Sequence, residues 1–184
     1  MQLFPATQRM ATQWKNGGGI TWPVAEAPGK DREFGWRLSL ADVAQAGPFS
    51  VFPGISRLMG ILEGRLLLEV QGYPVALLRP DGPAHAFPGD VPAFGTPQGK
   101  MVRDVNLMFD PDCFTATLEY EEAGLERLPG TALHLVLALA PLTLNGASLA
   151  RLDAALLPAG TALSARGGPC WLATLKRRDK SLKP

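Results

Sequence analysis

Residues 57–70 read RLMGILEGRLLLEV. Two short apolar runs, Arg57–Leu62 and Arg65–Val70, flank Glu63-Gly64. Runs of that length on either side of a glycine turn read as two strands of a β-hairpin. Working outward, Trp36–Ala41 (WRLSLA) alternates large apolar with polar residues, the period-2 signature of a half-buried strand. Tyr73–Leu78, Ala93-Phe94, Val102–Phe109 and Phe114–Tyr120 read as further short strands. Between them stand turn signals: Gly47-Pro48, Pro53-Gly54, Gly72, Asp81-Gly82-Pro83, Gly89-Asp90 and Pro97. Short strands with no long helical pattern between them predict a β-sandwich or barrel.

Composition agrees with this. Glycine (20) and proline (17) make up about a fifth of the 184 residues, against an average of about 12%. An apolar fraction of 46% and a charged fraction of 19% are those of a globular chain. Formal net charge is +1, but Lys176–Pro184 carries a net +4, leaving the rest of the chain at −3 by difference. That balance speaks against nucleic-acid binding through the folded body and makes the basic tail a solvated segment. The N-terminus has no charged-then-apolar leader, and the apolar run Ala132–Leu144 is too short for a bilayer and contains Pro141. No membrane association and a cytoplasmic location are expected, with Cys113 and Cys170 as reduced, packed thiols.

Glu121–Gly130 (EEAGLERLPG) is charged, poor in strand formers and ends in Pro-Gly, so it serves as a joint. Residues 1–120 then form one β unit with the ligand pocket, and 121–184 a second, smaller one; the boundary is approximate and strands are open to sharing. Leu133–Leu139, Leu142–Leu144, Leu149–Leu156, Thr161–Ala165 and Cys170–Lys176 supply the strands of the second unit. Alanine and leucine richness leaves room for one or two short helices, one around Ser148–Leu156.

Few residues carry obvious chemistry. The only histidines, His85 and His134, fall in different halves, and the cysteines are unpaired, so no convergent metal set is expected. His85, in a turn-rich segment, reads as a loop histidine, and His134, within an apolar run, as a packed one. The stretch WKNGGGIT (14–21) lacks the strand–GxGxxG–helix setting of a dinucleotide loop. Its glycines permit close approach of backbone or ligand. More informative are polar residues inside apolar strands: Arg37, Arg57, Asp104 and Asn106. In a strand, residues 104, 106 and 108 share one face, which looks either to solvent or into a lumen.

The segments WKNGGGIT (14–21), WRLSLA (36–41), GPFSVFPGISR (47–57), ILEG (61–64), FPGD (87–90) and RDVNLM (103–108) together resemble the HutD/Ves family, in the family's own order over residues 1–120. Where that family continues with a polar or acidic residue and an Ile-Ala pair, this chain has Trp22-Pro23-Val24-Ala25. The resemblance implies a bacterial cytoplasmic protein with an all-β, cupin-like double barrel or sandwich (bicupin), one branch being encoded among histidine-utilisation genes. Laying a metal cupin's G-x5-H-x-H-x3–4-E-x6-G motif with its last glycine on Gly64 puts the glutamate ligand at Arg57. The two histidines then fall at Ser50 and Phe52, or at Val51 and Pro53. A cation replaces the carboxylate, so the resemblance implies no metal, no cofactor and an anion in the lumen.

On that basis Lys15, Arg37 and Arg57 are candidates to neutralise a carboxylate. Asn16, Thr21, Ser39, Ser50 and Asn106 become hydrogen-bonding partners, and Asp104 orients an arginine. Phe52 and Phe87, with Phe49, wall the pocket, and Gly18 in its glycine run leaves room for the ligand. The expected function is a metal-free bicupin that binds a small carboxylate, of the urocanate or N-formylglutamate class, as a sensor or regulator of histidine catabolism. A metal-independent isomerase, lyase or hydrolase using Lys15 or His85 as base is the alternative, and a purely partner-binding module the third. A homodimer joined at a sheet edge is also expected.

Overall fold

The structure, a computed structural model, describes residues 1–14, 17–80, 82–122 and 124–178. It is built almost wholly of antiparallel strands in two units: Arg9–Asp110, and Met1–Gln8 together with the chain from Pro111 onward.

In the first unit a six-stranded sheet runs in the order β2 (Thr12–Gln13), β3 (Gly19–Ala27), β4 (Trp36–Val43), β11 (Val102–Phe109), β6 (Ser56–Glu63), β9 (His85–Pro88). A four-stranded sheet follows the order β5 (Gly47–Pro48), β10 (Ala93–Pro97), β7 (Leu66–Val70), β8 (Ala76–Leu78). Met59 and Ile61 of the larger sheet pack with Leu66, Leu68 and Val70 of the smaller in one buried cluster. The period-2 rule decides which side chains reach it, since alternate residues of each strand point to one face.

The hairpin expected at Glu63-Gly64 does not form. β6 pairs with β11 and β9, whereas β7 pairs with β10 and, through the turn at Gln71–Val75, with β8. Gly64 carries the chain from one sheet to the other. It sits at φ +81°, and a Cβ there would lie 2.5 Å from the Met101 carbonyl oxygen. Two consecutive apolar strands can share a core by facing each other across a sandwich as readily as by lying side by side. The sequence pattern of the two arrangements is the same.

The second unit has a five-stranded sheet, β1 (Gln2–Phe4), β17 (Ala154–Leu157), β14 (Ala132–Ala138), β19 (Cys170–Arg177), β12 (Phe114–Glu121). Its other sheet has the order β13 (Leu125–Arg127), β18 (Leu163–Gly167), β15 (Leu142–Leu144), β16 (Ala147–Leu149). Val136, Ala155, Leu157 and Leu172 from one sheet meet Leu142, Leu144, Leu149 and Leu163 from the other in the core. The division thus falls between Asp110 and Pro111 and not at 120. β12 pairs with β19 along its whole length, and β1 with β17, so both ends of the expected first unit belong to the second.

No helix forms over Ser148–Leu156. Leu152 lies at φ +69°, and the Asp153 carboxylate accepts from the backbone N–H of Ala150 at 2.9 Å and of Ala6 at 2.7 Å. Those bonds make a strand–turn–strand. The helical content among the described residues is a 3-10 turn at Ala6–Gln8, and no helix is long and apolar enough to cross a membrane. His134 lies in β14, opposite Thr174, with Nδ1 at 3.1 Å from the threonine hydroxyl, a packed residue as expected.

Gly64→Ala tests the corner. Gly72 also has φ near +80° but leaves open space around a Cβ. Gly72→Ala should lower stability by about 1 kcal/mol, the left-handed penalty alone. Gly64→Ala should lose roughly 1–3 kcal/mol more through overpacking. Urea denaturation of the two variants checks the difference, and equal losses would contradict the close approach at Gly64.

Candidate functional site

Strand register sets the site. Reading across the six-stranded sheet, one row runs Thr21–Ala41–Asp104–Ile61, the next Pro23–Ser39–Asn106–Met59–His85, and the third Glu26–Arg37–Met108–Arg57–Phe87. All side chains in these rows point to one face, and most of them line a cavity of about 780 Å³ within the first unit. That volume suits a small-molecule ligand. Asp104, Asn106 and Met108 share the face as the alternation required, and the face is a lumen, not solvent.

Pro23 lies past the end of β2, where β3 becomes an edge, beside a bulge at Val24. Those are the places where a sheet tolerates proline. The bulge shifts the alternation by one, so Glu26, and not Ala25, stands beside Arg37.

Arg57 is only 4% exposed and sits among aromatic rings. Its Cζ lies 4.8 Å from the Phe87 ring centroid, 5.4 Å from Phe49 and 5.8 Å from Phe52, all within cation–π range. Nη1 donates a long 3.4 Å hydrogen bond to the Ser50 carbonyl oxygen, and Nε is buried with no partner. Ser50 gives Arg57 its backbone carbonyl and is itself a lining residue of the cavity. Phe87 touches the guanidinium from the β9 side and is not itself a lining residue. Burial pulls the Arg57 pKa down to about 10, with Asp104 opposing the shift, so the side chain stays charged at neutral pH.

Asp104 has no exposed surface, and both carboxylate oxygens lack a hydrogen-bond partner. Burial drives its pKa up to about 7, the Arg57 charge pulls it down, and Asp42 adds to the rise. Asn106, one row nearer Arg57, has a buried Oδ1 that is also without a partner. Ser39, its neighbour on β4, is buried at the cavity wall.

Arg37 lines the cavity, as expected of a candidate cation, but it is already engaged. It does not pair with Asp104: Nε donates to Glu26 at 2.7 Å and Nη2 to Glu33 at 3.2 Å, while Cζ stacks 4.2 Å over Phe34. Two carboxylates already neutralise it. Of the described lining residues, Arg57 is the cation with no carboxylate in contact.

The glycine stretch acts through Trp14. The indole Nε1 donates to the Thr21 hydroxyl at 2.7 Å, and both residues line the cavity. A Cβ on Gly19 would lie 3.1 Å from two atoms of that indole and 2.6 Å from the Asp42 carbonyl oxygen. The Gly18 carbonyl accepts from the N–H groups of Ala44 and Gln45, so Gly18 anchors backbone and is not a lining residue. Lys15 and Asn16 lie outside the described residues. His85, the alternative base, is not a lining residue either. Trp14, Glu26 and the β2 residues Thr12 and Gln13 are lining residues that the sequence did not single out. For Trp14 the signal was its place at the head of the glycine run.

The positions that align with cupin metal ligands do not fit a metal ion. Ser50 offers a carbonyl already bonded to Arg57, Phe52 a ring, and Arg57 a positive charge. Among the described residues no three His, Cys, Asp or Glu side chains gather as a metal set.

The model of the family described as HutD matches residues 6–171. An uncharacterized 21.2 kDa protein in the hutC 3′ region of Pseudomonas putida is 36% identical over 139 residues, 74% of this chain and 72% of that protein. Protein Ves of Citrobacter koseri is 35% identical over 111 residues, 59% of this chain and 57% of its own length. The solved structure of HutD from Pseudomonas fluorescens SBW25, in a formate condition, matches with a TM-score of 0.89 at 28% identity. That match covers 97% of this chain and 99% of the other. A cupin 2 conserved barrel domain protein from Leptotrichia buccalis, only 9% identical, matches at a TM-score of 0.58 over 96% of each chain and shows the fold alone: all-β and cupin-like.

The raised Asp104 pKa has a stability consequence. A carboxyl whose pKa climbs from 3.8 in the unfolded chain to about 7 in the fold binds more protons folded than unfolded across that interval. Its contribution is present below pH 4 and is lost as pH rises through 7. Asp104→Asn should therefore be more stable than the parent at pH 8, with the gain shrinking as pH falls towards 4. Urea midpoints at pH 5 and pH 8 read this directly; a gain independent of pH would contradict the burial of a titrating carboxyl.

Proposed function

The chain belongs to the HutD family, and on that premise we propose that its cavity binds a small carboxylate as the input of a sensor or regulator of histidine catabolism. The observation that carries this reading is Arg57: a buried cation facing a cavity, caged by three phenyl rings, with no carboxylate in contact and an unpartnered Nε. A guanidinium so placed is preorganised for a carboxylate, which it grips with two parallel hydrogen bonds. Phenyl walls hold it without neutralising it, and their low polarity strengthens its attraction for an anion. The relative in the hutC 3′ region supports histidine utilisation as the setting, and with it ligands of the urocanate or N-formylglutamate class. In this reading the protein works in the cytoplasm, where those intermediates arise.

A second reading is a metal-independent enzyme acting on the same carboxylate. Asp104 is the observation in its favour, since a buried carboxyl with a pKa of about 7 at the cavity wall suits a general base at neutral pH.

Urocanate and N-formylglutamate should each be tested for a rise in melting temperature, because a ligand that binds only the native state stabilises it. At least one should raise it, and Arg57→Ala should weaken that ligand by about tenfold or more. Absence of any shift across the histidine-degradation carboxylates would remove the sensor reading. Proton NMR of the ligand with protein over hours separates the two readings: unchanged ligand fits binding, and consumption fits the enzyme.

A further inference from the structure

We infer that the site reads both ends of its ligand: Arg57 takes the carboxylate, and Asp104 with Asn106 takes an N–H donor at the opposite end. The inference rests on the carboxylate reading above and adds a requirement that reading does not contain.

Asp104 is an unsatisfied group in the cavity wall. An ionised carboxylate is acceptor-only, with room for several donors, and here both oxygens are buried with none. Arg57 acts on it through the field alone, with no ion pair between them. A buried acceptor left unsatisfied is costly, and a buried charge far more so. The other polar neighbours do not relieve it: no donor from Asn106 reaches either oxygen, and Arg37 is committed to Glu26 and Glu33. The side that remains is the cavity, which Asp104 lines. A donor arriving there satisfies the carboxylate in place of bulk water.

The sheet fixes the arrangement of the two ends. Asp104 lies four residues along β11 from Met108, whose register partner is Arg57, so the two rows stand roughly 13 Å apart in backbone, with Asn106 between them. The long arginine side chain shortens that span. A ligand touching both ends must be elongated, with an anion at one end and an N–H at the other. An imidazolyl monocarboxylate such as urocanate has this form; N-formylglutamate, whose acylamino group stands beside a second carboxylate, does not. A simple dicarboxylate does not: its second charge would face Asp104, and like charges in a buried site repel strongly. Asn106, whose amide presents either oxygen or nitrogen once rotated, suits the middle of such a molecule.

The test uses three probes on the full chain: urocanate, its isostere cinnamate (no N–H), and glutarate, a dicarboxylate. Calorimetric titration of the unmodified protein at pH 8, where Asp104 is mostly ionised, should give urocanate an affinity at least about tenfold above cinnamate, with glutarate weaker still. Asp104→Asn removes the charge while keeping the shape. It should cut the urocanate preference to within roughly threefold and make glutarate bind better than it does to the parent. Improved glutarate binding cannot come from a misfolded variant. Equal binding of urocanate and cinnamate, unchanged in Asp104→Asn, would overturn the two-ended reading while leaving the Arg57 carboxylate site intact. Failure of all three probes to bind would remove both.

Discussion

An arginine buried without a counterion is the constraint around which the first unit is arranged. Arg57 stands in the interior of β6, so its backbone position is fixed by ladder hydrogen bonds on both sides and it cannot swing to water. Three phenyl rings replace the hydration it gives up, each from a different segment: Phe49 beside β5, Phe52 in the following loop and Phe87 on β9. Phe49 in turn is seated because Gly95 on β10 has no side chain; a Cβ there would lie 2.8 Å from the ring. The smaller sheet therefore supports a charge held by the larger one. A lysine would not suit this place as well, since its compact, strongly hydrated ammonium lacks the flat face that stacks on phenyl rings.

Much of this was legible in the sequence, and the reason is periodicity. Polar residues at alternate places in apolar strands, Arg37 and Ser39 in one and Asp104 and Asn106 in another, can only mean a polar face, and strand register brings those faces together. What alternation does not contain is which strand pairs with which. Arg57–Val70 reads as a hairpin because both strands are apolar and a glycine divides them, and a corner between two sheets has the same pattern. The unit boundary was displaced for a related reason, since the charged segment after Glu121 marks a loop but not the sheet to which Phe114–Glu121 belongs. Glu26 was hidden by a bulge, which breaks the count that would have placed it beside Arg37.

The glycine run illustrates how a local reading leaves the approaching group open until the fold supplies it. Close approach of backbone or ligand was the inference, and the groups that approach Gly19 are the backbone of Asp42 and the indole of Trp14. Gly17 takes φ +70° to make the turn, Gly18 supplies a doubly used carbonyl, and Gly19 admits the ring that lines the cavity. The stretch thus builds one wall and fixes its orientation through Thr21.

Under the proposed function, these features would turn a cupin-like scaffold towards anions. The position at which the family's resemblance to metal cupins would place a carboxylate ligand holds a guanidinium, so the sign of the field in the lumen is reversed at that point. A single reversed charge would make an indiscriminate anion trap. In the proposed site the far end of the cavity opposes it: Asp104, buried and unpartnered, would make a second anion unwelcome and a donor welcome. On the two-ended proposal, charge of opposite sign at two ends of an apolar-walled space would select a molecule by its polarity and length, more than by its net charge. That selection requires Arg57 and Asp104 to remain apart, and the sheet enforces it by keeping them two rows from each other on neighbouring strands.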